Sequence, residues 1–185
     1  MLSSTVLGID PGVSETGWAV LDNGSGSPRL VDSGLIKTSP RTELPERLRF
    51  IHSSLVEIID RHSPGAVAIE EMFFLKAAYT IRGTLQARGV ILLAAAQARR
   101  PISEYNPRTV KMALTGSGTA VKAQMQQLVR TALGLCELLK PDDVADAAAI
   151  ALCHLRSQRV KKFQILESSG AKALYERNHL SRSGK

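Results

Sequence analysis

Four carboxylates stand where a globular chain rarely leaves one without a partner. Asp10 closes the apolar run Val6–Ile9 in "TVLGIDPG", just before a Pro-Gly break. Glu70 closes a second apolar run, "GAVAIE". Asp143 and Asp146 lie three apart in "PDDVADAAAIALCH", which puts them on one face of a helix. Asp146 sits among Ala145, Ala147, Ala148, Ala149 and Ile150, where a charge needs a partner. Asp142 and Asp143 also suit a plain helix N-terminus, where acids cap the first turn or offset the dipole. The set Asp10, Glu70, Asp143 and Asp146 offers oxygen donors without Cys or His, which suits magnesium or manganese rather than zinc. Four close carboxylates repel one another unless cations lie between them. Two such ions, roughly 4 Å apart, can activate a water and stabilise the leaving oxygen of a phosphodiester. The chemistry this implies is metal-assisted phosphodiester hydrolysis.

These acids must be brought together by the elements that carry them. "TVLGID" reads as a buried strand and "TGWAVLD" as a second, with Asp22-Asn23-Gly24 a strong turn signal after it. "RLVDSGLIKT" makes a third, with Val31, Ser33, Leu35 and Lys37 on one face. Leu44 to His62 recurs at helical spacing, with Pro45 in the first turn. "GAVAIE" is strand four, about Ala77 to Arg99 a long helix, and "ISEY" strand five. Asn106-Pro107 opens a short helix, and "TGSGT" is a loop. Ala120 to Leu133 is helical, with Thr119 as cap and Gly134 as stop; a last helix runs from Asp143 to about Arg156. The order predicts an α/β fold, a five-stranded mixed sheet flanked by helices, in which a meander continues into parallel crossovers. If strands one and four are neighbours, Asp10 and Glu70 meet at one rim of a crevice. Glu70 and Glu71 point to opposite faces of a strand, so only one can join Asp10; Glu70, which ends the apolar run, is the better candidate.

The 185 residues suffice for one core. No signal peptide is expected, because the first residues lack a basic start and Asp10 interrupts the apolar run. No stretch is apolar enough to span a membrane. Cys136 and Cys153, far apart and outside any CxxC pattern, read as buried thiols of a reducing cytoplasm. Of the net charge of +7, residues 156–185 hold 8 Lys/Arg against 2 Asp/Glu, and residues 1–155 hold 16 against 15. A nuclease domain over residues 1–156 and a basic, mobile tail over 157–185 are therefore predicted. The charge permits a polyanionic partner without establishing one.

The motifs, taken in order, resemble the RuvC family of Holliday-junction resolvases, within the RNase H-like nuclease superfamily. "LGIDPGVSETGWAV" is similar to the opening motif, "AIEEMFF" and "LQARGV" to the second block, "YNPRTVKMALTGSGTAVKAQMQQLVR" to the lysine-bearing third, and "DVADAAAIALCH" to the closing helix. They span about residues 6–156. The resemblance implies an RNase H-like fold and paired symmetric nicks in four-way DNA junctions during recombination and repair. It implies a preference for short T-rich sequences at the nick. It assigns metal binding and catalysis to Asp10, Glu70, Asp143 and Asp146, with two magnesium or manganese ions per site. It makes Lys111 and Lys122 active-site bases or phosphate contacts, where spacing alone reads them as solvated lysines. It implies a homodimer and partnership with the RuvA and RuvB branch-migration proteins.

Phe73 and Phe74 follow Glu70 in a chain poor in aromatics. Such residues are usually core, but a ring beside a cleft can stack on an unpaired base, and the resemblance gives that part to Phe73. Arg82, Arg88 and Ser117 are further candidate DNA contacts, with a solvated face the alternative for the two arginines. Gly83 and Gly89, each costing about 1 kcal/mol against Ala in a helix, suggest close packing there, by another copy or by the chain's own sheet. Two other classes fit less well. "GIDPG" also resembles the phosphate loop of actin-like ATPases, but the chain is short for their second domain, and "GSGTAVK" is no Walker A loop. A junction binder without catalysis gains nothing from four negative charges in its groove.

Overall fold

The computed structural model describes residues 5–24, 27–71 and 79–180; residues 79–81, 162, 163 and 165–180 are described by their helical backbone alone. The strands β1 (Thr5–Asp10), β2 (Glu15–Asp22) and β3 (Arg29–Lys37) form the expected antiparallel meander. The side chain of Asp22 accepts the Gly24 backbone N–H at 3.1 Å, the local turn that an Asp-Asn-Gly sequence favours. Helix α1 (Leu44–His62), strand β4 (Ala66–Glu70), helix α2 (Tyr79–Gln97) and strand β5 (Ile102–Tyr105) follow. Both β1–β4 and β4–β5 are parallel, and the sheet order is β3-β2-β1-β4-β5. Helices α3 (Pro107–Thr115), α4 (Lys122–Ala132) and α5 (Asp142–Leu180) complete the chain.

Strand alternation sorts the sheet into two cores. Leu7, Ile9, Val67 and Ile69 pack with α1 and α2. Val6, Ala19, Leu21 and Ala68 pack with α3, α4 and α5. On that second face α5 lies almost against the backbone. A Cβ on Gly8 would fall 2.2 Å from the Ala147 carbonyl oxygen, and one on Gly17 would fall 2.1 Å from that of Asp143. Both glycines and the small side chains of Ala147, Ala148 and Ala151, all buried, let the helix approach this closely.

Several local expectations are corrected. Val31 does not hold the alternation of β3: it is the extra residue of a bulge, between Leu30 opposite Leu21 and Asp32 opposite Val20, and it is exposed. Thr119 does not cap α4. That helix starts two residues later, behind Val121, and the Thr119 hydroxyl lies 3.1 Å from that of Ser117 instead. Helix α5 does not stop near Arg156 but runs to Leu180. Residues 157–180 are rich in Lys, Gln, Leu, Ala, Glu and Arg and contain no Pro, a composition with the propensity to continue a helix. Cys136 is exposed, not buried as its apolar character suggests, while Cys153 is buried. Gly83 has a packing reason inside the chain, since a Cβ there would meet a Val13 methyl at 2.9 Å; a Cβ on Gly89 would meet nothing. Among the described residues no helix is long and apolar enough to cross a membrane.

Candidate active site

The parallel register places Ile9 beside Ile69, so Asp10 and Glu70 emerge side by side at the next position. Their face follows from parity. Gly8 and Ala68, two residues before them, face α5, and so do the two acids. Antiparallel pairing sets Gly17 opposite Asp10, and Gly17 is the residue that holds the Asp143 backbone. The first turn of α5 is thus pinned over the end of β1, bringing Asp143 and Asp146 to the strand acids. The chain beyond Asp10 is also tied down. The Thr16 hydroxyl, fully buried, donates to the Gly12 carbonyl at 2.6 Å, and Thr38 bonds the carbonyls of Val13 and Ser14.

The strand acids and Asp146 feel one another's charge. Burial, then the charges of Glu70, Asp146 and Asp143, push Asp10 up to about 8 from its ordinary 3.8. Glu70 is raised by burial and by Asp146. Asp146 is raised by burial, against the opposing pull of Lys122. An acid set that resists ionising together calls for cations between its members. Among the described residues no three His, Cys, Asp or Glu side chains already form a metal cage. The set nonetheless fits hard divalent ions: it is all oxygen, it is partly buried, and its mutual repulsion is what such ions relieve.

A cleft of about 270 Å³ opens beside these acids, lined by Glu70, Asp146, Lys111 and Lys122, with apolar walls from Val110, Met125 and Ile150. Lys111 comes from α3, whose first turn is capped by the Asn106 side chain accepting from the Arg108 backbone. Lys122 opens α4, and its Nζ lies 3.1 Å from Asp142 Oδ2 and 3.4 Å from Asp146 Oδ2. Slight burial works against the Lys122 charge, but the hydrogen bond to Asp142 and the nearby Asp146 raise its pKa, so it stays a firm cation. Glu71 is not part of this cleft. Its N–H bonds the Tyr105 carbonyl, and it borders a separate groove with Asn106, Arg108 and Thr109.

The outlying candidates are dispersed. Arg88 is not a free cation at the cleft: it pairs with Glu104, which stands opposite Ile69 on the α1–α2 side of the sheet. Arg82 is exposed in the first turn of α2, next to Gly83 and its contact with Val13. Ser117 is exposed in the α3–α4 loop, its N–H bonded to the Thr115 hydroxyl. Phe73 and Phe74 lie outside the described residues. The glycine seats at 8 and 17 and the acid at 142 were not singled out by spacing as parts of a site. A small residue two positions before an acid, on the same strand face, is the signal that would have pointed to Gly8.

A family model described as crossover junction endodeoxyribonuclease RuvC matches residues 6–154. A relative from Halothermothrix orenii carrying that description is 45% identical over 157 residues, 85% of this chain and 95% of the relative. The solved structure of Thermus thermophilus RuvC superposes with a TM-score of 0.79 at 39% identity, covering 85% of this chain and 96% of that one. A structure of T. thermophilus RuvC in complex with a Holliday junction substrate gives 0.77 at 36% identity, covering 84% and 96%.

Proposed function

The chain belongs to the RuvC family of crossover junction endodeoxyribonucleases and is a Holliday-junction-resolving endonuclease with an RNase H-like fold, and we propose that it cuts by a two-metal hydrolysis centred on Asp10. The family's chemistry depends on divalent metal. One observation carries the reading: Asp10, buried and ringed by Glu70, Asp146 and Asp143, is held far above its ordinary pKa unless cations join it. Two magnesium or manganese ions held by Asp10, Glu70, Asp143 and Asp146 would supply an activated water and charge stabilisation at the leaving oxygen.

The protein's own groups do the rest. The β1–β4 register and the glycine seats under α5 hold the four acids without rearrangement during the reaction. Lys111 and Lys122 line the cleft as fixed positive groups for the scissile phosphate. Phe73, by family resemblance, stacks on a base unpaired at the branch point. Arg82 and Ser117, both exposed, are the remaining candidate DNA contacts, and Arg88 joins them only by giving up Glu104.

Family membership also supports a homodimer that presents two sites to one junction, acting with RuvA and RuvB in the cytoplasm. For the dimer, α2 offers Gly89, open to approach, and the exposed Leu93 one turn on. For the compartment, Cys136 and Cys153 are both free thiols. The test is cleavage of a synthetic four-way junction with magnesium or manganese, run beside duplex, flap and RNA–DNA hybrid. Paired nicks confined to the junction support the reading; preferential cutting of the hybrid overturns it.

A further inference from the structure

Asp142 is the acid of the closing helix to which neither the spacing nor the family resemblance assigns a part in the site. It stands exposed at the first position of α5, outside the cleft, and both of its oxygens are engaged. Oδ2 takes Lys122 Nζ at 3.1 Å, and Oδ1 accepts from Gln126 Nε2 at 2.7 Å. Lys122 and Gln126 are four apart on α4, so one face of that helix presents both groups to one carboxylate. The same ammonium is 3.4 Å from Asp146 Oδ2. Lys122 therefore spans an acid of the cleft and an acid outside it.

We propose that Asp142 is a positioning residue for Lys122: with Gln126 it anchors the ammonium at the rim, so that Asp146 is free to take a divalent cation while Lys122 stays within reach of the scissile phosphate. Resting on the function proposed above, this adds a reason for the paired acids at 142 and 143. An ammonium held by two carboxylates leans less on either than one held by a single carboxylate. If Asp142 loses its charge, Asp146 is left as the one carboxylate paired with Lys122 among the described residues. The lysine then competes with the metal for that carboxylate. Gln126 matters because its amide fixes the Asp142 rotamer that faces α4.

The experiment is a double-mutant cycle on metal binding by the full chain without DNA, using Mn²⁺ alone as the probe and calorimetry at 0.15 M salt. Asp142→Asn is expected to weaken Mn²⁺ binding about two- to five-fold, the size of one exposed ion pair. Lys122→Met removes the competitor. In that background Asp142→Asn is expected to change Mn²⁺ affinity little, because it has no lysine left to act through. An equal loss in both backgrounds overturns the proposal, since Asp142 would then act through its own charge or as a ligand. No loss in either background overturns it too. Gln126→Leu is expected to follow Asp142→Asn with a smaller effect. Junction cleavage by the unsubstituted protein, run in parallel, tests the proposed function separately, because the binding cycle is readable whether or not DNA is cut.

Discussion

Two described stretches of α5, Asp142 to Cys153 and Arg156 to Lys161, are held differently. From Asp142 to Cys153 the helix is held by burial: Ala147, Ala148, Ala151, Leu152 and Cys153 are almost wholly inaccessible, and Gly8 and Gly17 remove the atoms that would keep it off the sheet. Its first turn therefore has a fixed place, and two metal-binding candidates ride on it. From Arg156 onward the residues are exposed as far as they are described, apart from the half-buried Ser157. Arg156 donates to the Ala113 and Leu114 carbonyls at the end of α3. Beyond it the composition has the propensity to continue the helix. The family model ends at residue 154, just before the first exposed residue of this stretch, Arg156. A catalytic group must be placed to a fraction of an ångström, and the stretch with a core beneath it offers that.

The comparison is broken most directly at the acids. Asp10→Asn, Glu70→Gln and Asp146→Asn should each slow junction cleavage by about 100-fold or more, with binding retained or tightened as negative charge leaves the groove. Glu71→Gln, on the other side of the strand end, should do far less. Single-turnover cleavage beside a binding measurement in EDTA decides it, and equal loss in both glutamate variants would sink the parity assignment.

A second test uses the repulsion at the packed end. The Asp10 pKa in the folded state, about 8, lies above its ordinary 3.8. The stability this group contributes is thus fully present below about pH 4 and is lost as pH rises through 8. Metal-free protein should weaken across that window. Asp10→Asn should be the more stable protein at pH 8, by an amount on the order of a few kcal/mol, and differ little near pH 4. Urea denaturation in EDTA at both pH values measures this, and magnesium should recover stability in the unsubstituted protein at pH 8. A flat profile would mean the acids already share a cation or stand farther apart.

The glycine seats come next in size. Gly8→Ala or Gly17→Ala should cost about 1–3 kcal/mol of stability, because α5 must lift to admit a methyl group. Cleavage should fall even at temperatures where the variant is folded, since the acids lift with the helix. Gly89→Ala, facing open space, should leave a monomer as stable or raise it by up to about 1 kcal/mol. Lower dimer affinity of that variant in sedimentation would locate the interface on α2.

The smallest effect belongs to the far half. Ending the chain after Lys161 should change unfolding free energy by less than about 0.5 kcal/mol and leave the single-turnover rate unchanged. The salt dependence of junction binding should become shallower, because residues 162–185 carry 5 Lys/Arg against 2 Asp/Glu. A large loss of stability would show that the distal helix is docked, and the contrast between the halves would fall.

Much of this was legible in local sequence. Apolar runs ending on Asp10 and Glu70, the turn at Asp22-Asn23-Gly24 and the three-residue step from Asp143 to Asp146 all report backbone period and hydropathy, which short segments encode by themselves. They were enough to identify the strands and the mixed sheet and to name four candidate acids. Other features depended on contacts between segments distant in the chain. Glu70 was already preferred over Glu71 as the end of the apolar run, but the face it shares with Asp10 came from Gly8 and Ala68, which turn to α5. Arg88 was removed from the cleft by Glu104, a partner sixteen residues away on another element. Asp142 gained Lys122 and Gln126 because α4 docks beside the start of α5. Periodicity says which face of an element is buried, whereas the identity of its neighbour is settled by close packing, where one absent Cβ decides whether a helix can bring its acids down to the strand ends.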